Sequence, residues 1–342
     1  MKSIVFFNNK GGVGKTTLAC NLVSYLNKYK GKRVLLIDAD PQCNATQAIL
    51  DDDICEEIYI NNNKGYHTLY TCLEPFESGD ALINSNIIPL LGTKNRFGTD
   101  LIPGHPSMSI IEDRLSDAWS NLRAREIRGY RITNWCNHLI SKFENNYDLV
   151  VFDVGPSLGA LNRSVILACD FVVTPFGCDI FSLLGIQNIA VWIKSWQEQY
   201  DSSINEKKIQ DKTFIETYNI ISDTNKKFRF AGYSVQQYVT KKFKDGPRPV
   251  KSYDRIMEKI PETTTKAMQC FFVNNRKIID YELGHIPYLY SLVPMAQAAK
   301  SPIHTLKSLD GVVGSQYSQV VAYSELMNSL CDRLLAIVGD KS

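Results

Sequence analysis

Long hydrophobic runs are missing from this sequence of 342 residues, and so is a strong excess of charge of one sign. No segment approaches the ~18 consecutive apolar residues that a membrane-spanning helix requires. The 38 basic and 36 acidic residues nearly balance, so a polyanionic partner would have to bind a local basic patch. The first residues, MKSIVFF, run directly into a glycine-rich segment that cleavage of a signal peptide would remove. We therefore expect a globular cytoplasmic protein without a membrane partner.

Paired metal ligands are also missing. The nine cysteines include no CxxC pair and the five histidines show no HExxH spacing. These absences argue against a zinc ribbon, a thioredoxin-like redox site and a structural metal. Cysteines of a cytoplasmic protein are normally reduced, and the thiol is among the side chains most often buried. We expect free and mostly buried thiols.

Apolar runs alternate with segments of helix length along the chain. Runs of strand length occupy 4–7, 34–37, 149–152, 171–174 and 230–235. Apolar residues recur with helical spacing over 17–26, 132–143, 161–168, 183–196 and 320–338. Because strands and helices alternate, and because VLLI and LVVF are apolar throughout, the sequence predicts an α/β fold with a mostly parallel central sheet flanked by helices. Length and composition favour one domain over 1–342.

Three polar segments are predicted to be insertions into that domain: 51–64, 201–227 and 241–275. The first is acidic and rich in asparagine, which predicts a surface excursion, and the second has mixed charges without a strong period. Within the third, the basic stretch KKFKDGPRPVK at 241–251 contains two prolines. Proline removes a backbone donor and fixes φ, so this stretch is predicted to be a loop.

The segment KGGVGKTT near the N-terminus carries the clearest chemistry. A bound triphosphate needs converging backbone N–H groups, a lysine at the β and γ phosphates, and a hydroxyl on Mg²⁺. A strand, a glycine loop and a helix N-terminus supply all three. Gly11, Gly12 and Gly14 would let the backbone close around phosphate, Lys15 would supply the charge, and Thr16 the hydroxyl. The sequence therefore predicts a site for ATP and Mg²⁺.

The loop departs from the plain GxxxxGK[ST] pattern, because Asn9 stands where the first glycine belongs and Lys10 adds a second lysine. This form resembles the deviant Walker A motif of the ParA/MinD family of P-loop ATPases. The resemblance implies a P-loop NTPase fold of the SIMIBI type and an ATP-dependent homodimer in which Lys10 reaches the partner subunit's nucleotide. There it would place a cation where charge develops as the γ-phosphoryl group leaves. It also implies slow, partner-stimulated hydrolysis of ATP to ADP and phosphate.

Acidic residues at two strand ends match further motifs of the family. Asp38 and Asp40 follow the apolar run in VLLIDADPQ, and ligands in open α/β sheets bind beyond such strand ends. By resemblance, Asp38 lies near the Mg²⁺ shell and Asp40 orients or activates the attacking water. Asp153, in DLVVFDVGPSLG, would deliver a carboxylate to the Mg²⁺ hydration shell. Gly155 replaces the first proline of the family's DxPPSLG, which here reads DVGPSLG over 153–159 and is called the switch segment. The replacement implies a looser backbone in that segment but intact nucleotide binding.

The resemblance continues to the C-terminus, where GYSVQ and IPYLYSLVPMAQAAKSPI match late segments of the family and place Gln236 and Pro287 at the adenine pocket. The predicted catalytic residues are Lys10, Lys15 and Asp40, and the predicted metal site comprises Thr16, Asp38 and Asp153. The predicted ATP-binding residues are Lys10, Gly11, Gly12, Val13, Gly14, Lys15, Thr16, Thr17, Gln236 and Pro287.

Branches of the family differ in what they bind: ParA-type proteins bind DNA, MinD-type proteins bind membrane, and nitrogenase iron proteins carry a cluster. DPQxNAT together with DxGPSLG resembles the ParA branch most. The C-terminal helix lacks the basic polar face of a membrane-seeking helix, and glycine-flanked cysteines for a shared cluster are missing. The resemblance to the ParA branch implies non-specific DNA binding, and the densest basic stretch is the candidate surface for phosphate contacts, although an ordinary solvated loop explains that stretch about equally well. Its residues are Lys241, Lys242, Lys244, Arg248 and Lys251.

The leading prediction is partition of plasmid or chromosomal DNA with a ParB-like or other protein partner. It would operate in the cytoplasm of a bacterium or archaeon, where DNA binding would place the protein on the nucleoid. The alternative, which the insertions motivate, is a regulatory or assembly ATPase that recruits a protein complex or effector without partitioning DNA. A metabolic amidoligase of related fold would need a second substrate site, for which we see no residues.

Overall fold

The computed structural model describes residues 1–238, 240–243, 246–249, 251–273 and 276–339. Side chains are described throughout these ranges except at 226, 237–238, 240–243, 246–249 and 251–253. The strands are β1 (Lys2–Phe6), β2 (Val34–Asp38), β3 (Asp100–Ile102), β4 (Leu149–Asp153), β5 (Phe171–Gly177), β6 (Arg229–Tyr238), β7 (Thr240–Phe243), β8 (Gly246–Pro249) and β9 (Glu282–Pro287).

Helices connect these strands and cover both faces of the sheet. The α-helices are α1 (Lys15–Lys30), α2 (Asn44–Ile49), α3 (Asp52–Tyr59), α4 (Leu69–Leu73), α5 (Met108–Arg123), α6 (Ile127–Thr133), α7 (Trp135–Lys142), α8 (Ala160–Ala168), α9 (Ile180–Gln210), α10 (Phe214–Thr217), α11 (Lys251–Met257), α12 (Ile260–Met268), α13 (Leu292–Ala298) and α14 (Gln316–Val338).

Seven strands form one parallel sheet in the order β3-β2-β4-β1-β5-β6-β9. The inner strands β2 and β4 are buried along their whole length, because helices cover both faces of a parallel sheet. In the register of the sheet, Asp153 lies between Phe6 on one side and Asp38 on the other. The carboxyl ends of β1, β2 and β4 therefore reach the same edge, and the glycine loop leaves β1 at that edge.

The α/β architecture predicted from the sequence is confirmed, and five of the seven strands in the sheet lie where the apolar runs predicted them. The other two, β3 and β9, are the edge strands. β3 has only three residues, and β9 mixes buried with half-buried positions and contains Gly284. Edge strands need little apolar surface, so neither produces a strong pattern in the sequence.

Two helix predictions need correction. The predicted helix 132–143 is broken at Asn134, between α6 and α7. The side-chain NH2 of Asn134 donates to the carbonyl of Tyr130 and to the hydroxyl of Tyr200. Its side-chain oxygen accepts from the backbone N–H of Ile221. An asparagine that bonds in this way competes with the helix ladder. The helix predicted over 183–196 continues to Gln210, so the predicted insertion 201–227 begins inside α9.

The other two predicted insertions also contain regular structure. Segment 51–64 includes α3, in which Ile58 is buried and the Tyr59 hydroxyl donates to the carbonyl of Gly104 at 3.1 Å. The described residues of stretch 241–251 do not form a loop, because β7 and β8 make an antiparallel pair, here called the hairpin, and α11 begins at Lys251. Its prolines are compatible with strands because both members of a two-stranded ribbon are edge strands.

Within the described ranges, no helix combines the length and the apolarity needed to cross a bilayer. Seven of the nine cysteines are buried, as the sequence predicts. Burial raises the pKa of most of these thiols, for example that of Cys72 to about 12, so they are protonated at neutral pH.

Candidate functional site

The phosphate loop joins β1 to α1 at the carboxyl edge of the sheet. Gly12 and Gly14 have φ values of 72° and 75°, a left-handed conformation that favours glycine. A Cβ atom built on Gly12 would meet nothing within 4 Å, so the requirement there is the backbone conformation rather than space. Gly14 precedes the first turn of α1, whose N–H groups have no partner within the helix. This arrangement can bind an anion such as phosphate.

Thr16 and Asp153 meet directly beneath the loop. The Thr16 hydroxyl donates to Oδ2 of Asp153 at 2.7 Å, while Oδ1 is buried without a hydrogen-bond partner among the described residues. Burial and the charge of neighbouring Asp38 raise the pKa of Asp153 to about 8, although the bond from Thr16 and the charge of Lys15 oppose that effect. A buried oxygen without a donor, beside a hydroxyl at the phosphate loop, fits a Mg²⁺ ion or one of its waters.

Asp38 is fixed by its own segment. Its Oδ2 accepts from the backbone N–H and the hydroxyl of Thr46 at 2.8 and 2.7 Å, and its Oδ1 accepts from the Asp40 N–H at 3.3 Å. Burial raises its pKa to about 6, although the bonds from Thr46 oppose that effect. Asp38 thus ties the end of β2 to α2, and its role toward Mg²⁺ stays a prediction.

Asp40 lies two residues beyond the end of β2 and lines a cavity that adjoins the phosphate loop. Its Oδ1 accepts from the backbone N–H of Gln42 at 3.0 Å, which fixes the carboxylate in an Asx-type turn. A Cβ atom built on Gly155 would lie 3.1 to 3.3 Å from the three carboxyl atoms of Asp40. The glycine that departs from the family's proline is therefore in direct contact with Asp40.

The two lysines of the loop have opposite environments. Lys15 is only 8% exposed and lines the cavity. Burial lowers its pKa, while the charges of Asp153 and Asp40 partly offset that effect. Lys10 does not line the cavity, and 41% of its side chain is exposed. Its Nζ lies 2.5 Å from Oδ2 of Asp179.

Two adjoining cavities extend from the loop. The larger, of about 560 Å³, is bounded by the loop, Asp40, α2 and α13. The smaller, of about 230 Å³, brings the predicted adenine residues Gln236 and Pro287 together, and it shares Gly14, Thr17 and Val293 with the larger one. A nucleotide with phosphates at the loop and its base beside Pro287 would span both. Val13 is buried and lines neither cavity, so it would contribute its backbone alone.

The predicted DNA-binding residues lie in the hairpin and at the start of α11. Lys241 pairs with Arg248 in the register of β7 and β8, Lys242 pairs with Pro247, and Lys251 is the first residue of α11. Their side chains, and Lys244 as a whole, lie outside the described residues. DNA binding by this stretch stays a prediction.

Sequence reasoning missed three residues that support the site. Glu112 of α5 accepts from the N–H groups of Ala160 and Leu161 at 2.5 and 2.9 Å, which caps α8 after the switch segment. The Asn162 amide donates to the carbonyls of Gly155 and Ser157, both at 2.8 Å.

The third is Asp179, which caps α9 by accepting from the N–H of Ser182 and also binds Lys10. Burial alone would raise its pKa, but the bonds from Lys10 and Ser182 bring it below the usual value. An aspartate between a strand and a helix is an N-cap signal that the sequence does contain.

Known proteins resemble this chain in sequence and in fold. Residues 1–206 match the model of a protein family described as an AAA domain. The sporulation initiation inhibitor protein Soj of Bacillus subtilis is 30% identical over 206 residues, which are 59% of this chain and 69% of Soj.

Two solved structures extend the likeness beyond residue 206. The crystal structure of protein DIP2308 from Corynebacterium diphtheriae has a TM-score of 0.71 at 32% identity and covers 88% of this chain and 97% of its own. The structure of pNOB8 ParA bound to nonspecific DNA has a TM-score of 0.54 at 16% identity, over 100% of this chain and 99% of its own, which shows likeness of fold alone. With its parallel sheet and its two-lysine phosphate loop, the chain belongs to the ParA/MinD family of P-loop ATPases.

Proposed function

We propose that this chain is a ParA-like ATPase in which each subunit binds ATP and Mg²⁺ and Lys10 of a second subunit completes the site. The contrast between two lysines of one loop carries the proposal. Lys15 is buried against Asp153 and Asp40, where it can bind phosphate of its own subunit. Lys10 lies outside the cavity in a partly exposed pair with Asp179, so a nucleotide that approaches from outside could compete with that carboxylate for its charge.

The floor of the site, which comprises the cavity-lining residues Lys15, Thr16 and Asp40 and the fully buried Asp38 and Asp153 behind them, would hold the phosphates. Lys15 would pair with the β and γ phosphates, and the N–H groups at the start of α1 would bind their oxygens. Thr16 and Asp153 would hold Mg²⁺, partly through water, and the bound ion would neutralise charge that develops on the phosphate oxygens.

Asp40 is the residue that we assign to the attacking water. Its carboxylate is fixed by Gln42, lines the same cavity as Lys15 and Thr16, and packs against Gly155 of the switch segment. A movement of that segment would reposition the carboxylate, and small displacements of a catalytic group change rates strongly. We therefore expect hydrolysis to be slow until a partner orders the switch segment.

The assembled dimer would bind DNA without sequence preference and a protein partner that stimulates hydrolysis, as in partition of plasmids or chromosomes. Kinship with Soj and the fold shared with a ParA solved on nonspecific DNA support this assignment. The basic stretch at 241–251 is the surface that we assign to phosphate contacts.

The mass of the protein in solution tests dimerisation. The Asp40→Ala variant, which should bind ATP without turning it over, is measured by sedimentation with and without ATP and Mg²⁺. We expect twice the 38.7 kDa of one chain with nucleotide and the single mass without it. Adding Lys10→Ala should return the protein to the single mass. A protein that stays monomeric with ATP and Mg²⁺ would contradict the sandwich mechanism.

Retention of duplex DNA separates partition from the alternative role as an assembly ATPase. Partition predicts ATP-dependent retention of DNA of arbitrary sequence, which weakens steeply with salt. Replacing Lys241, Lys242 and Lys244 with alanine should abolish that retention and leave the nucleotide-dependent mass unchanged. Absence of retention at low salt by a protein that dimerises would favour recruitment of a protein complex.

A further inference from the structure

An exposed apolar patch adjoins the phosphate loop. Ile180, Phe181 and Leu184, in the first turns of α9, are 61%, 70% and 51% exposed. Leu184 lies four residues after Ile180 and three after Phe181, spacings that make side chains neighbours on a helix, so the three form one surface, here called the α9 patch. Single exposed apolar residues are normal on a protein surface, but contiguous ones mark interaction sites.

The residue that precedes the α9 patch binds Lys10. Asp179 uses Oδ1 to cap α9 and Oδ2 to pair with the Lys10 ammonium. Gly177 leaves room for this carboxylate, because a Cβ atom there would lie 2.8 Å from Oδ2. The patch and the second lysine of the loop are therefore linked through one side chain.

The second turn of α9 also packs against the entrance of the loop. A Cβ atom on Gly185 would lie 3.2 Å from Oδ1 of Asn9, and that oxygen is buried without a hydrogen-bond partner among the described residues. The start of α9 and residues 9–10 thus form one continuous rim beside the nucleotide cavity. A displacement of α9 would therefore change the position of Lys10 through both contacts.

We propose that the α9 patch packs on a second copy of this chain, and that Asp179 holds Lys10 within its own subunit until that contact forms. The proposal rests on the proposed function, in which Lys10 acts on the nucleotide of a second subunit. A second copy is the occupant because the rim that carries Lys10 must face that nucleotide, and the α9 patch belongs to the same rim. Its apolar side chains suit the core of a homodimer interface.

The ion pair between Lys10 and Asp179 is weak enough for Lys10 to exchange Asp179 for another anionic partner. Both partners are partly exposed, 41% for Lys10 and 35% for Asp179, and exposed pairs contribute little to stability. In the free subunit Asp179 would keep Lys10 paired and away from the cavity. In the dimer the phosphate charges of the second subunit would compete with one carboxylate for the same ammonium group.

The first test compares Phe181→Ser with Val191→Ser, both in the Asp40→Ala background with ATP and Mg²⁺. Val191 is the control because it is 66% exposed in the same helix but lies ten residues, about 15 Å, further along the helix than Phe181. We expect Phe181→Ser to raise the dimer dissociation constant at least about tenfold, as loss of an interface anchor does, and Val191→Ser to leave it unchanged. Binding of a fluorescent ATP analogue to single subunits and the thermal unfolding midpoint should be the same in both variants.

The second test addresses the ion pair. Asp179→Asn keeps a residue that caps α9 but removes the charge that competes for Lys10. We expect it to lower the dimer dissociation constant about two- to fivefold, the size of a weak exposed pair. Asp148→Asn is the control, because it removes the exposed pair with Arg33 at the opposite end of β4.

The outcomes separate this inference from the proposed function. If the Asp40→Ala protein does not dimerise, the sandwich mechanism fails and the inference fails with it. If it dimerises and Phe181→Ser dimerises as tightly, the sandwich mechanism stands and the inference is overturned. Intact dimerisation with lost DNA retention in Phe181→Ser would assign the patch to DNA and also overturn it. A dissociation constant for Asp179→Asn equal to or above that of the background would remove the role of Asp179.

Discussion

The floor and the rim of the nucleotide site differ in burial and in the kind of contacts that their residues make. The floor residues are buried or half-buried, and Thr16, Asp38, Asp40 and Asp153 all make hydrogen bonds at the carboxyl ends of parallel strands. The rim, formed by residues 9–10 and the start of α9, combines one partly exposed ion pair with an apolar patch. The floor is complete within one subunit, whereas the rim presents surface that one subunit leaves uncovered.

This difference assigns separate tasks to two lysines that are five residues apart. Lys15 is buried within the electrostatic influence of Asp153 and Asp40, so its environment suits binding of a ligand in the same subunit. Lys10 is held by one exchangeable partner. Changes in the floor should therefore affect nucleotide binding and turnover at any protein concentration. Changes in the rim should affect only what depends on a second subunit.

The largest effect is expected from Lys15→Ala, which removes the buried lysine at the loop end of the larger cavity. Loss of a charge aimed at the reacting phosphates should lower ATP turnover at least about 100-fold. Phosphate release at saturating protein measures it, with the exposed Lys266→Ala as control. Turnover within a few-fold of wild type would show that the floor does not bind the phosphates as described.

His304 tests whether burial of a titratable group alone marks function. It is buried against Tyr25 and Tyr29 outside the floor, and neither ring nitrogen has a hydrogen-bond partner among the described residues. Burial lowers its pKa to about 3. Between pH 6.5 and 3 the proton therefore binds only the unfolded chain, and the free energy of unfolding falls as pH falls.

Between pH 6.5 and pH 5 the wild-type protein should lose about 1.5 kcal/mol more of its free energy of unfolding than His304→Leu, which has no imidazole at this position. Urea unfolding at the two pH values, in both proteins, measures the difference. ATP turnover at pH 7.5 should be unchanged in the variant. An equal loss of stability in both proteins would mean that this imidazole is protonated in the folded state as well.

Glu112→Ala tests the support beneath the switch segment. Its carboxylate accepts from two N–H groups at the start of α8, and loss of a helix cap typically costs about 1 kcal/mol. We expect that decrease in the free energy of unfolding, measured in urea, together with a smaller effect on nucleotide affinity. Unchanged stability would show that water replaces the carboxylate without loss.

Gly155→Ala tests the boundary between the floor and the switch segment. The added Cβ would press on Asp40 at 3.1 to 3.3 Å, and a shift of a few tenths of an ångström should slow turnover about three- to tenfold. Nucleotide affinity should stay unchanged. Gly284→Ala is the control, because its nearest contact is an ordinary 3.4 Å. An equal loss in affinity and in turnover would place the effect on nucleotide binding instead.

The floor and the sheet could be predicted from sequence because backbone geometry dictates their residues. A loop with left-handed glycines, a buried strand that ends in aspartate, and a helix that begins with Lys-Thr leave few alternatives. Asp38, Asp40 and Asp153 could be placed at one edge from the sequence pattern alone, since parallel strands align their carboxyl ends.

The rim could not be predicted, because its residue types are equally typical of a buried core. Ile180, Phe181 and Leu184 are apolar like core residues, and only the position of α9 shows that they face outward. The ion pair joins residues 169 positions apart, which no local pattern records. Strand β3 is too short to produce a period, and the prolines of the hairpin hide it, because the rule against proline in strands does not hold at edges.

The concentration dependence of ATP turnover tests the central claim most directly. If Lys10 acts on the nucleotide of a second subunit, turnover per subunit of the wild-type protein rises with protein concentration and levels off once dimers predominate. The Lys10→Ala protein stays at the low level throughout. Turnover per subunit that is constant over the whole range, in a protein that sediments at 38.7 kDa with ATP and Mg²⁺, would contradict a site shared between two subunits.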